Sequence, residues 1–69
     1  MDRAPVDSSN VASVGYDPAS ETLEIEFKTG SIYQYYDVPQ FMHEQLMQAP
    51  SVGVFFNTNI KNVYADAKV

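Results

Sequence analysis

Three tyrosines, Tyr33, Tyr35 and Tyr36, crowd the stretch SIYQYYDVP of a 69-residue chain whose only others are Tyr16 and Tyr64. A phenol carries a flat apolar ring and a hydroxyl that both donates and accepts. Tyrosines at this density therefore suit either a core layer with polar tips or a surface for a flat ligand. Further along, Asn57, Lys61 and Tyr64 lie three or four residues apart. On a helix and its exit that spacing puts an amide, a cation and a phenol on one side, enough to hold one small anion. Of the neighbours Phe55 and Phe56, set about 100° apart on a helix, one belongs to a buried stripe and the other lies near the surface. The candidate ligand-binding residues are Tyr33, Tyr35, Phe56, Asn57, Lys61 and Tyr64.

Other chemistries find less support. Glu24 and Glu26 alternate on one strand face, as paired carboxylates would, but a solvated sheet face is much the better explanation. His43 stands beside Glu44 with no second ligand or nucleophile in its sequence context and reads as a surface histidine. Ser8 and Ser9 have no base to activate them and suit a cap or turn near Asn10. With no cysteine and one histidine, neither a disulfide nor a thiolate or histidine-rich metal site is available. No catalytic residue, metal or cofactor is expected, and the chain reads as non-enzymatic.

Four basic residues against nine acidic give a formal charge of −5. Binding a nucleic-acid polymer through its backbone requires clustered cations, whereas Arg3, Lys28, Lys61 and Lys68 are widely separated. DNA is excluded on this ground and an RNA track is lacking. A chain this short buries only about 60% of its unfolded surface, so small domains commonly rely on a staple. Without disulfides or metal, the remaining staple is self-association, at least as a dimer. The longest apolar run is far short of a membrane span and the first ten residues are polar, so a soluble, cytoplasmic protein is expected.

The elements that must position these residues follow from hydrophobic spacing. Ala12, Val14 and Tyr16 alternate with small or polar residues, and Asp17-Pro18 supplies a turn. Leu23, Ile25 and Phe27 then alternate with Glu24, Glu26 and Lys28, a half-buried strand. Thr29-Gly30 reverses the chain into a third strand, Ser31 to Val38. Pro39, with Asp37 upstream, opens a helix to about Gln48, its stripe formed by Met42, Leu46 and Ala49 with Phe41 beside them. After Ala-Pro-Ser, Ser51 caps a second helix carrying Val52, Phe56, Ile60 and Val63, in which Gly53 allows close packing. The expectation is an α+β domain: a three-stranded antiparallel β-meander followed by two helices packed on one face. Residues 1–7 form a flexible N-terminal arm, 8–64 the single domain and 65–69 a fraying tail. Leu23, Ile25, Phe27, Leu46, Phe56 and Ile60 are the expected core.

The hairpin at Thr29-Gly30 admits two registers. A two-residue loop faces Phe27 with Ile32 and sends Tyr33 and Tyr35 to the glutamate side. A three-residue loop with a bulge sets Tyr33 opposite Ile25 and Tyr35 opposite Leu23, turning Ile32, Gln34 and Tyr36 outward. The second is preferred because a buried, unpartnered Gln34 amide costs about 1–3 kcal/mol. Ile32, Gln34 and Tyr36 then become the candidate subunit interface on an open sheet face.

The ordered segments SSN, ASVGYDP, TLEIEF, GSIYQYYDVP, APSVGVFFN and NIKNVY resemble the KTSC domain, which also occurs at the C-terminus of some lysyl-tRNA synthetases. The similarity runs from about Val6 to Tyr64, with the family's central Tyr-x-Tyr falling on Tyr33 and Tyr35. Ser8, Ser9, Gly15, Tyr16, Ser51, Gly53, Phe56, Asn57, Ile60 and Tyr64 are further family-like positions. The resemblance implies a small domain, found free-standing in bacteria and phages, for which RNA binding has been suggested. Gln34, Val54 and Asn62 stand where the family tends to be more basic, leaving Lys61 as the surviving cation. The functional expectation is accordingly a non-enzymatic, oligomeric binding module for a small nucleotide-type ligand, acting as a phage-type sponge of a nucleotide signal. The alternatives are a protein-interaction module or inhibitor using the open sheet face, and an RNA-binding domain.

Overall fold

In the computed structural model, which describes all 69 residues, the chain forms strands β1 (Arg3–Pro5), β2 (Val11–Asp17), β3 (Thr22–Phe27) and β4 (Ile32–Tyr35), helices α1 (Gln40–Gln48) and α2 (Val52–Asn59), and strand β5 (Asp66–Lys68). The strands make one antiparallel sheet in the order β1-β2-β3-β4-β5. The α+β class and the two helices after the meander match expectation, but the sheet has five strands rather than three. Part of the expected arm, Arg3–Pro5, pairs with β2, and part of the expected fraying tail, Asp66–Lys68, pairs with β4. Three-residue edge strands are too short to show a period of two, and they form because β2 and β4 offer unpaired backbone groups.

The turn that sets the register is a three-residue loop, Lys28 to Gly30. The Phe27 amide donates to the Ser31 carbonyl at 2.9 Å and the Gly30 amide to the Phe27 carbonyl at 2.9 Å. Gly30 has φ +97°, a conformation that glycine adopts without a Cβ penalty. Ile25 consequently pairs with Tyr33 and Leu23 with Tyr35. One face of the sheet meets the helices. Leu23, Ile25, Leu46 and Ile60 have no exposed surface there, and Phe56 retains 2%. Phe27, expected in the core, is only half-buried at its rim.

The helices differ in how they begin and end. Ser51 caps α2 as expected, its Oγ accepting from the Val54 amide at 3.2 Å. α1 has no side-chain cap: Pro39 occupies the cap position, and Asp37 adopts a left-handed φ of 59° without capping the helix. Gly53 does mark a close approach, because a Cβ there would lie 2.6 Å from Asn10 Oδ1. α2 stops at Asn59, and the left-handed Asn62 (φ 64°) turns the chain, so Val63 leaves the helical stripe and is exposed.

The opposite face is a network of paired polar groups. The Arg3 guanidinium meets the Glu24 carboxylate, and Arg3 Nε donates to Ser13 Oγ at 3.1 Å. Ser13 Oγ donates to Glu26 Oε1 at 2.7 Å, Gln34 Nε2 to Glu24 Oε1 at 2.9 Å, and the Tyr36 hydroxyl to Gln34 Oε1 at 3.3 Å. Glu24 is thus buried beneath its partners, not solvated as expected. The Gln34 hydrogen bond, followed by the Arg3 hydrogen bond and charge, holds its carboxyl below the usual value, against the opposing effect of burial. His43 also departs from the expected surface position. It is half-buried and stacked on Tyr16 with ring centroids 4.7 Å apart, and burial lowers its pKa. The Tyr16 hydroxyl in turn donates to the Val38 carbonyl at 2.6 Å.

Two stability predictions follow from this packing. Ile25→Ala should cost about 2–5 kcal/mol in urea unfolding, because the side chain is wholly enclosed and its truncation leaves a cavity. Acid should destabilise the fold in two stages. Below the ordinary histidine pKa of 6.5 the unfolded chain takes up a proton that buried His43 resists, and below the ordinary carboxyl value of 4.5 it takes up one that paired Glu24 resists. The thermal midpoint followed by circular dichroism should fall through both ranges; His43→Phe should remove the first stage and Arg3→Ala should shrink the second. Equal midpoints at pH 7 and pH 5 would contradict the histidine assignment.

Candidate functional site

Where the helix-covered face of the sheet approaches β5, the packing opens into a cleft of about 270 Å³. The hairpin register brings Tyr33 and Tyr35 to this face, and Phe27 joins them from the end of β3. Phe56 of α2 meets Phe27 and Tyr35 edge-to-face, with centroids 5.5 and 5.4 Å apart, while Tyr33 meets Phe27 at 5.9 Å. Asn57, Lys61 and Asn62 enter from α2 and its exit, Asn10 from the loop before β2, and Asp66 from β5. The Phe56 carbonyl accepts from the amides of both Ile60 and Lys61, at 3.0 and 2.9 Å, which ties Lys61 to the helix end.

Five of the six expected ligand-binding residues, Tyr33, Tyr35, Phe56, Asn57 and Lys61, therefore share one cleft. Tyr64 does not line it and packs against the core instead. The left-handed turn at Asn62 breaks the helical spacing that would have stacked Tyr64 above Lys61. Ile32, Gln34 and Tyr36, the expected interface, belong to the opposite face, where Gln34 and Tyr36 are hydrogen-bonded into the polar network. Sequence reasoning did not assign Asn10, Phe27, Asn62 or Asp66 to the site. Asp66 had no local signal, since it becomes a site residue only by pairing opposite Tyr35.

The polar groups of the cleft are largely uncommitted. Both ion pairs of the chain belong to Arg3, so neither Lys61 nor Asp66 has a charged partner. No side-chain hydrogen bond within the chain engages Asn57, Lys61, Asn62, Asp66, Tyr33 or Tyr35. Every fully buried side-chain nitrogen or oxygen has a partner, so the unpartnered Tyr35 hydroxyl must retain access to solvent. Burial, with the charge of Asp66 and the neighbouring Tyr33 adding to it, pushes the Tyr35 pKa up to about 12. The phenol is consequently a neutral donor at ordinary pH. A larger groove of about 350 Å³ along α2 and the connection that precedes it, lined in part by Pro50, Val54 and Phe55, has no charged lining residue. The smaller cleft combines stacking surface, one cation, one carboxylate and several amides, which equips it for recognition. Its lining contains no histidine, serine or cysteine.

A model of the KTSC domain matches residues 7–64. An uncharacterised protein of Stutzerimonas stutzeri is 41% identical over 61 residues, covering 88% of this chain and 86% of that one. A lysine–tRNA ligase of a Nostoc species is 40% identical over 58 residues, which cover 84% of this chain but 10% of the ligase. The crystal structure of a KTSC domain protein from Yersinia pestis superimposes with a TM-score of 0.96 at 43% identity, covering 99% of this chain and 96% of that one. With the match extending from the Ser8 loop through both helices and the whole sheet shared with a solved member, the chain belongs to the KTSC domain family.

Proposed function

We propose that this chain is a non-enzymatic binding module that takes a small nucleotide-type ligand in the aromatic cleft and works as an oligomer. The observation that carries this reading is the contrast between the two faces of the sheet. On the outer face Arg3, Ser13, Glu24, Gln34 and Tyr36 are hydrogen-bonded to one another, whereas the cleft holds rings beside donors and acceptors left free for a ligand. A volume of about 270 Å³ lies just below the roughly 300 Å³ at which ligand pockets usually begin, so one cleft suits one base-sized group. A ligand with two bases calls for two clefts, which an oligomer supplies. Lys61 is the one cation of the lining and serves a single phosphate, and the basic residues Arg3, Lys28, Lys61 and Lys68 do not cluster in sequence as polymer binding requires. Binding that leaves the ligand intact amounts to sequestration, the behaviour of a sponge for a nucleotide signal.

RNA binding is the second reading, favoured by the similarity of this chain to a segment of lysine–tRNA ligases. Calorimetry against mono-, di- and cyclic oligonucleotides, beside a single-stranded RNA, separates the two. The nucleotide reading expects micromolar or tighter binding of a small member. Because a stacked base is worth about 1–3 kcal/mol, Tyr33→Ala should weaken it by about fivefold to over a hundredfold. Lys61→Ala should weaken binding of phosphorylated members. No binding across the panel overturns the proposal, and salt-sensitive RNA binding alone replaces it with the second reading. Light scattering at high micromolar concentration should give at least a dimer; a monomer there refutes the oligomeric part.

A further inference from the structure

We infer that the cleft selects guanine over the other bases, with the Asp66 carboxylate accepting the paired donors on the base's Watson–Crick edge. This inference rests on the nucleotide reading above and names the ligand class within it. Lys61 and Asp66 are the only ionic side chains lining the cleft, and they bear opposite signs within a chain of net charge −5. The lining itself therefore offers a polyphosphate no net positive charge, Lys68 opposite Tyr33 being a further cation on this face, and the phosphates supply little discrimination between bases. The base must supply it.

An ionised carboxylate only accepts hydrogen bonds, through two oxygens side by side. The matching edge therefore carries two adjacent donors. Guanine presents N1–H beside the N2 amino group. Adenine and cytosine each set one amino donor beside a ring acceptor, and uracil has a single N–H between two carbonyls. Only guanine satisfies both carboxylate oxygens without opposing a lone pair to them, and both bonds are charge-assisted. Asp66 is well placed for this role. It stands opposite Tyr35 across the β4–β5 ladder, it has no ion-pair partner, and it lines the same cleft as Phe27 and Tyr33, the half-buried rings on which a purine would stack. Asn57 and Asn62 bring amide groups with donors suited to the remaining guanine acceptors, O6 and N7. The position of Asp66 on an edge strand also makes base selection depend on β5 being paired to the sheet.

The test is calorimetric titration of the full chain with guanosine, inosine, adenosine and uridine 5′-monophosphates, repeated with Asp66→Asn. Inosine keeps N1–H and lacks the N2 amino group. The expected order places guanosine monophosphate first, with inosine monophosphate weaker by about tenfold or more, the loss of one charge-assisted bond. Asp66→Asn replaces one acceptor oxygen by a donor, so guanine should lose its lead while adenosine monophosphate binds as well as before or better. Unchanged thermal midpoints verify that the substitution leaves the fold intact. Equal binding of guanosine and adenosine monophosphates by the original chain overturns the guanine inference and leaves the nucleotide reading standing. A guanine preference that survives Asp66→Asn overturns the role of Asp66. Failure of all four ligands to bind the original chain, with binding absent as well from the larger oligonucleotide panel, removes the nucleotide reading itself.

Discussion

The three-residue reversal at Lys28–Gly30 governs which side chains meet. Successive strand residues point to opposite faces, so one residue more or less in this loop exchanges every side chain of β4 between the helices and the outer face. The observed loop, held by the Phe27–Ser31 backbone bond and by glycine's positive φ, places Tyr33 opposite Ile25 and Gln34 opposite Glu24. Both chemical faces of the sheet depend on that pairing. The inner face obtains the rings that surround Phe56, and the outer face obtains the amide that holds Glu24 ionised.

The termini then complete what the hairpin begins. β1 brings Arg3 across β2 to the Glu24 carboxylate, satisfying a buried acid that Gln34 alone would leave without a counter-charge. β5 lies on the other edge and supplies the acidic wall of the cleft. Each terminal strand thus covers an open edge with backbone hydrogen bonds and also delivers one charged side chain. For a domain with so little interior, this double use of short segments adds order without requiring a larger core. It also concentrates the uncommitted polar groups at one rim, since those of the outer face are already engaged.

This division bears on how a KTSC domain serves in two settings, as a nearly whole small protein in Stutzerimonas stutzeri and as a tenth of the length of a lysine–tRNA ligase in Nostoc. The hairpin, the two helices and the Ser8–Asn10 loop against Gly53 form the frame of the domain. At the rim of the cleft Lys61, Asn62 and Asp66 stand on the helix exit and the last strand, the positions to which the proposed reading assigns ligand choice. No helix is long and apolar enough to cross a membrane, and the charge is spread along the chain.

Local physics made much of this structure legible. The alternation from Leu23 to Lys28 identified a strand and its buried side, the Ser51 hydroxyl identified a helix start, and the cost of burying Gln34 selected the hairpin register. It also marked Tyr33, Tyr35, Phe56, Asn57 and Lys61 as residues suited to recognition, because ring, amide and cation are properties of side chains themselves. The terminal strands escaped notice because three residues carry no measurable period, and their pairing is driven by edges that exist only after the central strands have assembled. For the same reason Asp66 looked like part of a frayed tail, Glu24 like a solvated acid and His43 like a surface base. Each acquired its environment from residues distant in sequence: Tyr35, Arg3 and Tyr16 respectively. The sequence by itself determined the chemical character of the candidate residues and the local elements that carry them. Which of them share a cleft, which are neutralised by partners and which remain free was decided by tertiary structure alone, because burial and hydrogen-bond pairing depend on contacts that no local spacing encodes.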